Sequence, residues 1–166
     1  SQRASQSKAD FKDIVPTIVK MPAIESYYIR NKGYNINIKE TWQKLQTWIL
    51  TNDIISYKRI ALFHDNPTIT PLNECQYIGC VMVEDNQEVK SDRLPKFKIA
   101  EGVYAKFDLK GKTGDVLPFI HWVYHEWLPK NEYETTTKPS YAIYNKIDFL
   151  DESNEFDLSF YVSINF

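Results

Sequence analysis

Two cysteines and three histidines in 166 residues leave little material for a disulfide scaffold or a metal shell. Cys75 and Cys80 lie five apart in one strand-like run, so they face opposite ways and do not pair with each other. They read as reduced thiols of a cytoplasmic protein. Charge of one sign is also missing: 20 Lys and Arg against 22 Asp and Glu give −2. With no basic run, the chain has no means of gripping DNA by itself. No apolar stretch approaches the ~20 residues that span a bilayer, and no signal-peptide pattern opens the sequence. A glycine-rich phosphate loop and a nucleophile elbow are both absent. His121 and His125 stand four apart with Glu126 beside them, but Trp122 takes the position where a metalloprotease motif carries its glutamate. No metal and no cofactor are expected, and Lys106 and Asp108 read as strand-end charges.

Aromatic residues are plentiful, at 14% of the chain, and the chain repeats itself. A strand-like run, Ala23 to Gly33, leads into an amphipathic helix over Ile38 to Thr51. Ile38, Trp42, Leu45, Trp48 and Ile49 form its stripe. About 78 positions later Val103 to Gly111 leads into a second helix, Asp115 to Trp127, with Val116, Phe119, Ile120, Val123 and Trp127 as its stripe. Pro118 fits only the first turn of that helix, and Leu128-Pro129 ends it. Each helix is followed by an apolar strand, Ile60 to Phe63 and Tyr141 to Tyr144. The fold class is therefore α+β, built from two copies of one unit with a seam between them. Met21-Pro22 separates an earlier strand, because proline cannot donate to a ladder. Residues 1–13 read as a linker or the cut edge of a longer protein, and 14–166 as one binding domain. Glu84 to Pro95 and Lys130 to Pro139 read as loops.

Alternation assigns faces to the strands. Phe156, Leu158, Phe160, Val162, Ile164 and Phe166 share one face, with Asp157, Ser159, Tyr161, Ser163 and Asn165 opposite. Val103, Ala105, Phe107 and Leu109 go under the helices, as do Ile60, Leu62, Tyr141 and Ile143. The open face then collects Tyr28, Phe63, Tyr104, Tyr144 and Tyr161, a ring cluster of the kind that marks a recognition surface.

Several motifs occur in a telling order: Met21-Pro22-Ala23 with Tyr28-Ile29-Arg30 and Gly33-Tyr34; Asp65-Asn66-Pro67, Thr70-Pro71 and Glu74-Cys75-Gln76-Tyr77; Gly102-Val103-Tyr104-Ala105; Trp127-Leu128-Pro129 with Tyr133-Glu134. Together these resemble the gyrase-inhibitor-like (GyrI-like) effector-binding domains often found at the C-terminus of AraC-type transcription regulators. The resemblance runs from about residue 18 to 166. It implies two pseudo-symmetric strand-helix-strand-strand modules, a curved antiparallel sheet backed by two helices, and a groove on the concave side. It also implies a role in transcription regulation, binding small, often aromatic and cationic molecules and signalling to DNA only through a domain outside this chain; for this chain a small aromatic or apolar molecule is expected. A membrane has no part in this, and a homodimer is compatible with it. Members that bind cationic drugs carry a glutamate in a Pro-x-x-Glu-x-Tyr strand. Here that strand reads Pro139-Ser140-Tyr141-Ala142-Ile143-Tyr144, with Ala142 in the acid's place. The expected ligand-binding set is Tyr28, Phe63, Tyr104, Ala142, Tyr144 and Tyr161, with Glu126 as a substitute acid. No catalytic residue is expected, because the acid that hydrolytic relatives would use is missing. The alternatives are a stand-alone gyrase-inhibitor-like interaction or protective protein and a hydrolase of electrophilic small molecules.

Overall fold

The computed structural model describes residues 11–90, 93–146 and 155–165. Its strands are β1 (Thr17–Met21), β2 (Ile24–Lys32), β3 (Tyr57–Phe63), β4 (Gln76–Val83), β5 (Lys96–Ile99), β6 (Gly102–Lys112), β7 (Glu134–Thr135), β8 (Ser140–Lys146) and β9 (Glu155–Asn165). Helix α1 is Ile38–Thr51. Helix α2 starts as Val116–Trp122, widens into a π turn over Val123–Trp127 and closes with Leu128–Lys130. The widening falls just before Pro129, which has no N–H to give to the preceding turn and whose ring crowds the carbonyl four residues back.

The antiparallel sheet runs β1-β6-β9-β8-β3-β4-β2-β5, with β7 on β9. From the centre outwards, β3-β4-β2 on one side mirrors β8-β9-β6 on the other. Strands β2 and β6 begin 78 residues apart (102 − 24), and so do α1 and α2 (116 − 38). The modules meet at the β3–β8 pairing, where Ala61 faces Ala142. A pseudo-two-fold axis passes there.

Short links bend this sheet. Only Pro22 and Ala23 join β1 to β2, and only Ala100 and Glu101 join β5 to β6. In each case the joined strands stand six places apart in the sheet order. Laid flat, they would be separated by about 29 Å at roughly 4.8 Å per strand. Two linking residues reach about 11 Å at most. The ends must therefore curl toward each other, giving a half-barrel with the helices outside.

Both faces of the sheet are consequently dry. Outside, Trp42, Leu45, Trp48 and Ile49 of α1 and Phe119, Ile120, Val123 and Trp127 of α2 pack over Tyr77, Val81, Ala105, Phe107, Phe160 and Val162. Gly79 lets α1 approach: a Cβ there would stand 2.8 Å from Leu45 Cδ1 and 3.1 Å from Thr41 Cγ2. Inside the curl, Ile24, Ile60, Leu62, Ile78, Cys80, Ile99, Tyr104, Tyr141 and Tyr161 form a second core. Residues from both ends of the sheet share that cluster.

The first helix matches the sequence reading from end to end, and the second overruns it by one turn. The inward and outward alternation of β6 and β9 holds, except that Val103 lies at the start of its strand and is exposed. The assignment of β3 and β8 is inverted. Ala61, Phe63, Ala142 and Tyr144 lie under the helices, whereas Ile60, Leu62, Tyr141 and Ile143 face into the curl. These strands are apolar on both faces because both sides of the sheet are covered, so alternation carries no polarity there. The face expected to be open is enclosed. The run expected as loop from Lys130 to Pro139 contains β7, which pairs with Ile164 and Asn165. Phe11, inside the stretch read as linker, is buried against Phe119 (5.3 Å) and Trp122 (5.8 Å between ring centroids). Residues 1–10 and Phe166 lie outside the described residues.

Candidate functional site

The equal 78-residue offset places the first turns of α1 and α2 as counterparts on either side of the pseudo-axis. Ile38, Lys39 and Glu40 form one wall of a cleft of 380 Å³, and Val116 and Leu117 form the other. Its floor is Phe63, Tyr77 and Tyr144, with Tyr34 as an aromatic side wall and Asn35 and Asn37 at the rim. Phe63 and Tyr144 are equivalent under the repeat, each two residues past its axial alanine, Ala61 or Ala142.

Local chemistry fixes each ring. Gly33 takes φ +104°, a left-handed conformation that glycine adopts without strain. Its N–H donates to the Cys75 carbonyl at 2.7 Å, and the Tyr34 N–H donates to the Leu72 carbonyl at 2.9 Å. The Tyr34 hydroxyl donates to the Asp65 carbonyl at 2.6 Å and accepts from the Asp65 N–H at 2.8 Å. The Asp65 carboxylate in turn accepts the Gln76 N–H at 2.6 Å. The Asp-Asn-Pro segment thus acts as a clamp on Tyr34. At the floor, Trp42 Nε1 donates to the Tyr77 hydroxyl at 2.8 Å, and Tyr77 is hydrogen-bonded to Tyr144. The rings meet edge to face, Tyr34 on Phe63 at 5.3 Å and Phe63 on Tyr77 at 5.5 Å, the arrangement their quadrupoles favour.

Burial pushes the Tyr34 and Tyr77 hydroxyls well above the usual tyrosine range. At neutral pH they are protonated groups engaged with the protein, which suits them to shape a pocket and makes them poor bases. Glu40 and Lys39 are exposed at the mouth. Among the described residues, no acid lies on the floor. Ala142 is fully buried on the floor's face opposite Ala61, beneath the helices.

The candidate residues therefore divide. Phe63 and Tyr144 line this cleft and Ala142 shares their face. Tyr28, Tyr104 and Tyr161 lie through the sheet, inside the curl. There Tyr161 stacks on Tyr141 at 4.8 Å, and Tyr104 meets Tyr141 at 5.3 Å and donates its hydroxyl to the Ala100 carbonyl. The five rings do not converge, because the parity of β3 and β8 is opposite to that of β2, β6 and β9. Glu126 is exposed in a separate 480 Å³ cleft beside Lys12, Trp122 and Trp127. Sequence reasoning missed Tyr34, Tyr77, Ile38, Val116 and Leu117 as cleft residues. The signal was available in the paired helix starts, which the repeat places on opposite sides of one axis.

The His121 and His125 rings lie 5.3 Å apart on exposed positions of α2. Among the described residues, no group of three or more His, Cys, Asp or Glu is arranged to hold a metal. Cys75 and Cys80 are free, one in each core, and burial pushes their thiols up to about 11 and about 12. No helix among the described residues is long and apolar enough to cross a membrane.

A curled antiparallel sheet, two outer helices related by a pseudo-axis and an aromatic cleft between their first turns define a small-molecule-binding class. The sequence model of the GyrI-like small molecule binding domain matches residues 15–164, and the chain belongs to that family. It is 24% identical over 129 residues to a DNA gyrase inhibitor of Citrobacter koseri, covering 76% of this chain and 82% of that protein. The crystal structure of the EcmrR C-terminal domain aligns with a TM-score of 0.68 at 14% identity, covering 92% of this chain and 98% of that one. In the cryo-EM structure of EcmrR with DNA the match spans 62% of the EcmrR chain. A hydrolase from Listeria innocua aligns at 0.62 and 10% identity, over 93% and 95% of the two chains. At these identities the structures share the fold alone.

Proposed function

We propose that this chain is a ligand-sensing domain that takes a flat, neutral, aromatic or apolar molecule between the first turns of α1 and α2. The observation that carries this reading is the aromatic cleft on the pseudo-axis, 380 Å³ in volume, within the size range of small-molecule sites. The hydroxyls of Tyr34 and Tyr77 are engaged with the protein, and the charged and amide side chains, Asn35, Asn37, Lys39 and Glu40, stand at the cleft's rim and mouth. With alanines at the axis instead of a carboxylate, a cation over the floor gains the pull of ring quadrupoles, about 0.5–2 kcal/mol, while Glu40 stands at the exposed mouth beside Lys39. That balance favours uncharged ligands. Protonated, engaged tyrosines support binding over turnover.

The EcmrR alignment supports a sensor whose output passes to DNA through a region elsewhere in a longer protein. The gyrase-inhibitor relative supports a second reading, a stand-alone protein with a macromolecular target, because the match fills 82% of that protein. A thermal-shift comparison of 2-naphthol, 2-naphthoate and trimethyl(2-naphthyl)ammonium tests the ligand site on which the sensor reading depends. Saturating 2-naphthol should raise Tm by several degrees, and Phe63→Ala or Tyr144→Ala should remove the shift. No response to any of the three compounds, or a response that survives both substitutions, contradicts the sensor reading.

A further inference from the structure

The cleft has an unassigned neighbour. A second hollow of 350 Å³ lies on the other side of Leu117, lined by Pro67, Leu72, Leu117, Pro118 and His121. Leu117 lines both spaces. A backbone hydrogen bond also ties them: the Tyr34 N–H, from a wall of the first, donates to the carbonyl of Leu72, from a wall of the second. Two of the five lining residues are prolines, which have no N–H to desolvate and hold their rings rigidly. Apolar side chains stand exposed on both flanking loops, Ile36 at 46% and Ile69 at 80%. Ile36 stands between the rim residues Asn35 and Asn37 of the first hollow, and Ile69 two residues past Pro67 of the second, so each hollow has an uncovered isoleucine beside it in the chain.

We infer that the two hollows are subsites for one elongated ligand of two ring systems, the first held over Phe63, Tyr77 and Tyr144 and the second on the Pro67–Leu72–Pro118 shelf, with its bridge crossing Leu117. This rests on the reading of the main cleft as the ligand site and adds the shape of what enters it. Either hollow alone lies near the lower end of the range for drug-sized molecules, and the two joined lie well inside it. Among the described residues that line the shelf, His121 is the one polar side chain, and it is exposed. The ligand's middle and second ring are therefore uncharged, and any acceptor or acidic group sits beyond that ring.

The test is a titration of the full chain with 4-methylphenol, one ring, and 4-hydroxystilbene, two rings joined by a two-carbon bridge. The stilbene should bind about tenfold tighter or more, since burying its second ring adds apolar contact at no cost in polar pairing. Leu117→Trp, which fills the crossing from a half-buried helix position, should bring the affinity ratio to near one. Leu72→Gln should do the same from the opposite wall. A ratio near one in the unaltered chain, or a ratio that neither substitution changes, overturns the shelf and leaves the main cleft standing. Failure of both compounds to bind overturns the cleft reading, and the shelf with it.

Discussion

In the proposed reading, Ala142, beneath the cleft floor, sets what charge the cleft accepts. It sits on the pseudo-axis opposite Ala61, on the floor's face and shut from solvent. A carboxylate there would be desolvated, and Coulomb attraction to a ligand cation would be many times stronger than in water. Ala142→Glu should therefore swing preference to the trimethylnaphthylammonium probe. It should also cost the free protein about 1–3 kcal/mol of stability, from overpacking and from burying an acid that lacks a fixed partner. Calorimetry and denaturant melts read the two effects together. A variant that folds but still prefers 2-naphthol would remove Ala142 from the specificity argument. Tyr34 and Tyr77 matter differently. Their hydroxyls are committed to Asp65, Trp42 and Tyr144, so they present ring surface to a ligand while remaining fixed in place.

Among the elements, α2 touches everything relevant. Its first turn walls the cleft and the shelf, its middle holds Phe11 through Phe119 and Trp122, and its π turn borders the cleft that contains Lys12 and Ile14. A ligand that repositions Val116 and Leu117 thus acts on the same helix that anchors the segment entering β1. Phe11→Ala should destabilise the chain by about 3 kcal/mol, the usual cost of emptying a buried phenylalanine site. A loss under about 1 kcal/mol in urea melts would show that the segment is only loosely attached. The elements also differ in how openly the sequence declared them. The stripe of Ile38, Trp42, Leu45, Trp48 and Ile49 gave α1 its full span, and the alternations from Val103 to Leu109 in β6 and along β9 fixed their faces. Ile60-Ala61-Leu62-Phe63 and Tyr141-Ala142-Ile143-Tyr144 could not be oriented, because a strand apolar on both sides has no polar phase to follow. Strand β5 reads Lys-Phe-Lys-Ile, too short to stand out from the charged loop before it.

At the scale of the whole molecule, the repeat makes the site. Two modules joined at β3 and β8 bring two helix starts over one floor, and two short links curl the sheet until its other face closes on itself. The repeat was legible in the residues and the family resemblance implied a curved sheet; that the curl closes over its inner face was not legible, because it follows from strands distant in order being adjacent in the chain. This is why Tyr28, Tyr104 and Tyr161 belong to an inner core while Phe63 and Tyr144 line the cleft. The most direct measurement is methyl-detected NMR of isoleucine-, leucine- and valine-labelled protein titrated with 2-naphthol. Shifts are expected at Ile38, Val116 and Leu117, with Ile60, Leu62, Ile78 and Ile99 inside the curl left unmoved. Shifts concentrated on those inner methyls, or on Val15 and Ile18 beside Glu126, would contradict the cleft reading.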